Sequence, residues 1–393
     1  MEVVTFRQET MMNAPLPRRL GLLTGGGDCP GLNAVIRAFT RTAIGRYGAS
    51  VVGIEDGFEG LLAGRFRELD YGSVAGLIGE GGTILGTTNK GDPWHFPVVQ
   101  ADGTTRIEDV SDALMARVRE AGIDALAVVG GDGSMHIAHR VAGLGLPVIG
   151  VPKTIDNDLS ATDTTFGFDT AVSIVSESID RLTTTASSHH RVMVIEVMGR
   201  YAGWIALAGG MAGGADTILI PEIPFRWEAV NRHLQQRAVR GRRYSIVCVA
   251  EGAKLPEGGE VVRALDGRRT DAKQLGGIGA VVGARIEADT GLETRVTVLG
   301  HLQRGGSPTA YDRILATRFG VAAAECACQG KSGVMVALRG NDIVPVPIVD
   351  AIAALRTVPP DHPMVLAARE VGTRFGDEVP GGESAPSIGP DWV

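Results

Sequence analysis

Apolar residues along this chain fall in short unbroken runs, most of them closed by glycine and followed by stretches with helical spacing. Leu20–Thr24 runs into Gly25, Gly26 and Gly27, and a helix is predicted from Leu32 to about Tyr47. Val51–Ile54 is the next strand. Val110, Leu114 and Val118 give residues 108–121 helical spacing. Asp124–Val129 reads as a buried strand ending in Gly130 and Gly131, and another helix precedes Pro147–Val151. The pattern restarts with Val192–Val197 ahead of Met198, Gly199 and Arg200, then with Thr217–Ile220 and Ser245–Ala250. Strand, glycine turn and helix in alternation predict parallel α/β sheets.

At 393 residues the chain exceeds what one compact core usually holds, so two closely packed domains are expected. Residues 1–17 read as a flexible extension, and residues 375–393, rich in Gly, Pro, Ser and acids, as a disordered tail. The net charge of −7 disfavours nucleic acid or an anionic membrane as partner. No run reaches membrane-span length and no signal peptide is recognisable, so the reading is cytoplasmic. The four cysteines are too sparse for a disulfide scaffold, and Cys326 and Cys328 read as reduced thiols on a helix.

Candidate chemistry collects at the ends of the strands, the edge where open α/β sheets bind ligands. Gly25–Gly27 and the run Gly130, Gly131, Asp132, Gly133, Ser134 both lead into helices, whose free N–H groups and dipole suit phosphate. Neither run is a Walker A or dinucleotide motif, and a simple tight turn explains either one equally well. Pro152–Asp158 adds Lys153 and two acids. In extended chain Asp156 and Asp158 point the same way, which suits a magnesium ion or a base with its orienting group. The bland alternative is an Asx-rich turn capping the next helix. Asp132 is a candidate metal ligand. Arg191, Arg200, Arg295 and Arg304 recur on separate segments near His301 and could clamp a phosphorylated substrate. Singly, each would read as a solvated or structural residue.

Seven segments together resemble the phosphofructokinase family. They are Thr24–Ala34, Gly81–Gly86, Gly130–Ser134, Pro152–Asp158, Glu196–Arg200, Glu251-Gly252 and Gly300–Gly306, spread in family order over about residues 18–320. The resemblance implies two Rossmann-like three-layer α/β domains, mainly parallel, with the active site in the cleft between them. Residues 18–167 and 303–353 would form the donor domain, and 168–302 with 354–374 the sugar-phosphate domain.

The implied reaction moves a phosphoryl group from ATP, with Mg2+, to the 1-hydroxyl of fructose 6-phosphate. Asp156 would be the general base, with Thr154 and Ile155 beside it. Asp132 would hold the metal, and Arg200 would stabilise the moving phosphoryl group. Gly27, Asn89, Lys90, Gly131, Gly133, Ser134 and Lys153 would meet the donor. Met198, Gly199, Glu251 and His301 would hold the sugar, and Arg191, Arg295 and Arg304 its 6-phosphate. Family arginines matching Arg191 and Arg295 come from a neighbouring subunit, which implies a homodimer or homotetramer. Arg37, Arg41, Arg65, Arg240, Arg242 and Arg243 fall near family effector positions.

Two departures bear on the donor. Bacterial ATP users carry an arginine soon after Gly86, where this chain has Thr87, Thr88, Asn89 and Lys90. Lys153 is usual in pyrophosphate users, whereas Gly133 leaves room for an ATP α-phosphate that their aspartate blocks. The pattern resembles the ATP-dependent subgroup most similar to pyrophosphate enzymes. The alternatives are a pyrophosphate-dependent enzyme, an NAD-kinase-type enzyme, and a non-catalytic regulatory subunit on the same fold. Retention of Asp156 and Arg200 argues against the last.

Overall fold

The computed structural model describes residues 18–265 and 273–378. Apolar runs that are buried on both faces become central parallel strands, because only helices covering each face can keep such strands dry. Ala125–Gly130, Val192–Val197 and Ser245–Ala250 are buried throughout.

Two main sheets result. The first has seven strands, in the order Asp342–Pro347, Val334–Arg339, Val148–Pro152, Ala125–Gly130, Arg19–Thr24, Ser50–Ile54, Phe66–Leu69. It is parallel except at its edges, where Phe66–Leu69 and Asp342–Pro347 pair antiparallel. The second is a four-stranded sheet, all parallel, ordered Thr294–Val298, Val192–Val197, Ser245–Ala250, Thr217–Leu219. The chain is therefore a mixed α/β protein with two lobes. The lobes share a continuous core: one apolar cluster includes Leu22, Val129 and Phe319 of the first lobe and Ile195, Trp204 and Phe375 of the second.

The helix Leu32–Tyr47 starts and stops as its sequence suggests. Its entry needs glycine: Gly31 has φ 108°, and a Cβ there would lie 2.7 Å from the Phe166 ring. The helix over 108–121 is shorter than expected, Ser111–Glu120, because Asp109 accepts the Ser111 N–H and fixes the entry. Cys326 and Cys328 lie on the helix Ala310–Cys328 as free, buried thiols. No described helix is long and apolar enough to cross a membrane.

The C-terminal segment departs from expectation. A disordered tail was expected from residue 375, yet Phe375 is fully buried and Arg369 forms a 2.7 Å ion pair with Asp377. An aromatic ring with an apolar slot to fill holds this end of the chain on the second lobe. Residues 379–393 and 1–17 lie outside the described residues.

Candidate active site

The two glycine turns of the first lobe lie side by side at the ends of adjacent strands. Gly25 N–H donates to Val129 O at 2.9 Å, and Gly26 N–H to Thr88 O at 2.9 Å. Ser134 is wedged between them: a Cβ on Gly130 would sit 2.2 Å from Ser134 Cβ, and one on Gly25 2.7 Å from its Oγ. The turns differ in kind. Gly131 is the N-cap of the helix Asp132–Gly143, so that helix points its free N–H groups into the cleft. Gly27 does not open a helix, because four more residues intervene before Leu32.

The Thr87–Lys90 segment closes over the first turn. Thr87 Oγ1 donates to Gly26 O at 2.7 Å, while Lys90 is exposed beside Asn89 in the same loop. Lys153 is buried and its Nζ donates to Gly27 O, with burial drawing its pKa down.

The Pro152–Asp158 segment corrects one expectation. The chain is not extended there, because Asn157 adopts a left-handed φ of 52° and reverses it. Nor does it cap the following helix, which starts only at Phe168 with Gly167 as N-cap. Asn157 Oδ1 instead accepts the Thr165 N–H at 3.1 Å and holds the turn closed. Thr154 Oγ1 accepts the Asp156 N–H at 3.1 Å. Ile155 is fully buried, so only its backbone can meet a ligand.

This turn concentrates negative charge. Burial pushes Asp156 up, while Arg304, Lys153 and Arg200 pull it back. Asp158 is pushed up to about 7, by burial first and then by the charge on Asp156. Asp132 is also pushed up by burial. Asp156 Oδ1 is buried without a hydrogen-bond partner. A buried acceptor of this kind is costly unless something arrives to donate to it.

Magnesium fits this set in one way only. Among the described residues no cluster of three or more His, Cys, Asp or Glu could hold a metal. Mg2+ typically keeps several waters and binds through one or two carboxylates plus substrate phosphates. Asp132, at the first position of its helix, could supply such a carboxylate.

Facing this turn across the cleft is a wall built from the second lobe. Met198, Glu251 and His301 line a cavity of about 560 Å³, with Glu196, Gly276 and Gly277 behind them. Gly199 has φ 128°, and a Cβ on Gly252 would fall 1.8 Å from Arg200 O, so the two loops touch backbone to backbone. Glu251 is pushed up to about 7 by burial, then by Asp156 and Glu196. Glu196 was not singled out from sequence as a site residue, although an acid within an apolar strand is a visible signal. Its carboxylate accepts the N–H groups of Gly277 (2.9 Å) and Gly279 (2.7 Å), fixing the back of the cavity.

Glu251 gives a pH signature. Unfolded, it ionises near 4.5, and folded, near 7. Between these values the unfolded chain releases a proton that the folded one keeps, so this group lowers stability as pH rises across that window. Glu251→Gln should therefore gain stability over the parent at pH 7.5 but not at pH 4.5, read as urea midpoints. An equal difference at both pH values would refute the assignment.

The arginines do not all gather in one place. Arg200 lies near enough to Asp156 and Glu251 to pull both carboxyls down. Arg304 stands apart from the other proposed 6-phosphate ligands: its Nη1 donates to Asp28 O at 3.1 Å, and a Cβ on Gly27 would lie 2.7 Å from it. Arg191 and Arg295 share Glu293, at 2.8 and 2.5 Å, at the opposite end of the second sheet. The six-residue strand Val192–Val197 separates Arg191 from Met198, a span of roughly 20 Å. Within one chain these two arginines cannot serve the cleft.

The candidate effector residues fall into two groups. Arg37 and Arg41 lie on the helix Leu32–Tyr47, and Arg65 pairs with Asp56 at 3.3 Å in the first lobe. Arg240, Arg242 and Arg243 follow the helix Trp227–Val239 in the second, with Arg243 3.1 Å from His190.

Comparison with known proteins fits this geometry. The Phosphofructokinase family model matches residues 19–327. The ATP-dependent 6-phosphofructokinase of Chloroflexus aurantiacus is 53% identical over 363 residues, covering 92% of this chain and 99% of that protein. A pyrophosphate–fructose 6-phosphate 1-phosphotransferase of Amycolatopsis methanolica is 50% identical over 346 residues, covering 88% and 97%. Among solved structures, the phosphofructokinase of Pichia pastoris superposes with a TM-score of 0.74 at 32% identity over 92% of this chain, which spans 37% of the Pichia chain. The motifs, the two-lobed fold and these relatives agree, and the chain belongs to the phosphofructokinase family.

Proposed function

We propose that the chain transfers the γ-phosphoryl group of ATP to the 1-hydroxyl of fructose 6-phosphate, giving fructose 1,6-bisphosphate and ADP. The observation that carries this reading is Asp156. It is a half-buried carboxyl group whose Oδ1 is buried without a partner, set between a phosphate-suited helix N-terminus and a cavity of about 560 Å³.

In this reading the sugar occupies the cavity against Met198, Glu251 and His301. Its 1-hydroxyl donates to Asp156, which takes the proton as the oxygen attacks the γ-phosphorus. The donor lies along Gly27, Gly131, Gly133 and Ser134, where N–H groups and the helix dipole meet its charge. Arg200 offsets the charge that builds on the equatorial oxygens. Mg2+, when bound at Asp132, neutralises charge on the donor phosphates.

Arg191 and Arg295 would reach a 6-phosphate only in a second copy's cleft, so the working unit is at least a dimer. Any effector site built from both arginine groups would have to join residues of the first lobe to residues of the second.

The pyrophosphate reading keeps one specific support, buried Lys153 at the Gly27 carbonyl. The deciding experiment is a fructose bisphosphate assay of the purified protein with each donor. ATP is expected to give the higher turnover at matched concentrations. Faster turnover with pyrophosphate would overturn the choice of donor, and no product with either would overturn the activity.

A further inference from the structure

Residues after 327 lie beyond the family match, yet one of them touches the catalytic turn. The segment Ala354–Val358 crosses between the lobes and bonds to both sides of the cleft. On the first-lobe side, Arg356 N–H donates to Asp158 O at 2.8 Å, and its Nη1 reaches Asn157 O at 3.4 Å. Ser160 Oγ donates to Ala354 O at 2.6 Å. On the second-lobe side, Trp204 Nε1 donates to Arg356 O at 2.8 Å, and the guanidinium lies 4.5 Å from the centre of the Trp204 ring. Glu222 completes the tie, accepting the N–H groups of Gly203 at 3.0 Å and Val358 at 2.8 Å. His362 meets the Trp204 ring edge-on at 5.0 Å.

We propose that Arg356 is a positioning residue: with Trp204 it clasps the Asp156–Asp158 turn to the loop carrying Arg200, and so sets the distance between general base and phosphoryl-stabilising arginine. The physical reason is local. Asn157 holds a left-handed conformation, and its carbonyl and that of Asp158 both accept from Arg356. Trp204 opens the helix Trp204–Ala212, four residues after Arg200. One side chain thus contacts the backbone on one side of the reaction and an aromatic face on the other. Flat stacking and a hydrogen bond from one group are what a guanidinium offers and an ammonium does not. The proposal deepens the reading above and rests on the roles given there to Asp156 and Arg200.

The test is steady-state kinetics of Arg356→Met, which keeps the main-chain bonds and apolar bulk over Trp204 but removes the guanidinium donor to Asn157 O. Misplacement by about 1 Å costs up to about 100-fold, so kcat should fall roughly 10–100-fold. KM for sugar and for ATP should stay within about threefold, because neither substrate is contacted. Arg356→Lys should recover part of the loss. Trp204→Phe, which removes the indole donor, should shift kcat in the same direction. In an Asp156→Asn background Arg356→Met should add little, because it acts through that residue.

Wild-type kcat in folded Arg356→Met would overturn the clasp. So would a loss expressed only in KM, or one that multiplies in full with Asp156→Asn. If Asp156→Asn alone retains normal turnover, the general-base reading fails on its own measurement, and the kcat-against-KM split of Arg356→Met still decides the clasp. Should Arg356→Met fail to fold, Trp204→Phe carries the same test.

Discussion

Replacing Asp156 with asparagine is expected to lower kcat about 10²–10⁴-fold, the usual range for a general base. Asparagine keeps the shape and one carbonyl acceptor but cannot take the sugar proton. The fold should survive, and the stability change should favour the variant. Burial raises the folded pKa of Asp156, so ionising it near neutral pH works against the folded state. Asparagine removes that cost. A variant that melts at or above the parent's temperature at pH 7, yet turns over orders of magnitude more slowly, separates chemistry from folding. Near-normal turnover would sink the assignment.

The same variant tests site sharing. Mixed with Arg295→Ala, it should form hybrid oligomers that contain intact sites. Activity above the sum of the two separate preparations is then expected. Simple addition after subunit exchange would count against a shared site.

What the sequence made legible was whatever depends on local patterning. The strands Val192–Val197 and Ser245–Ala250 emerged with the boundaries read from them, because strands buried on both faces leave no room for ambiguity of period. Gly131 before Asp132 likewise announced a helix N-terminus. The candidate-site motifs were legible because each is a short run of neighbouring residues, such as Gly130–Ser134 and Pro152–Asp158.

Long-range relations were not legible. The reversal at Asn157 depends on a hydrogen bond to Thr165, eight residues on, so Asp156 and Asp158 could not be placed by alternation. Arg191, Arg295 and Arg304 looked equivalent in the sequence. Only the register of Thr294–Val298 against Val192–Val197 put Arg295 beside Met193, far from Met198, while Arg304 lies against the Gly25–Gly27 turn. Arg356 carried no signal, because it belongs to no motif and matters through backbone carbonyls that any residue type could supply. The buried end at Phe375 was masked by the polar composition that follows it.

Gly133→Asp is the sharpest test of donor choice. Gly133 is the second residue of the helix Asp132–Gly143 and does not have positive φ, so a side chain fits its backbone. An acid in the first turn also suits the helix dipole, so folding should be preserved. In the proposed mode the ATP α-phosphate runs past this position. A carboxylate placed against it sets two like charges together, which costs several kcal/mol. At about 1.4 kcal/mol per decade, kcat/KM for ATP should fall on the order of 10²–10³-fold. Pyrophosphate ends before the α position and meets Lys153 instead, so its kcat/KM should change far less. The ratio of pyrophosphate to ATP efficiency is therefore expected to rise by about two decades or more. If folded Gly133→Asp keeps ATP efficiency within about threefold of the parent, the α-phosphate does not pass Gly133 and the donor path is wrong. If both donors weaken equally, the substitution has disturbed Asp132 next to it, and specificity is set elsewhere.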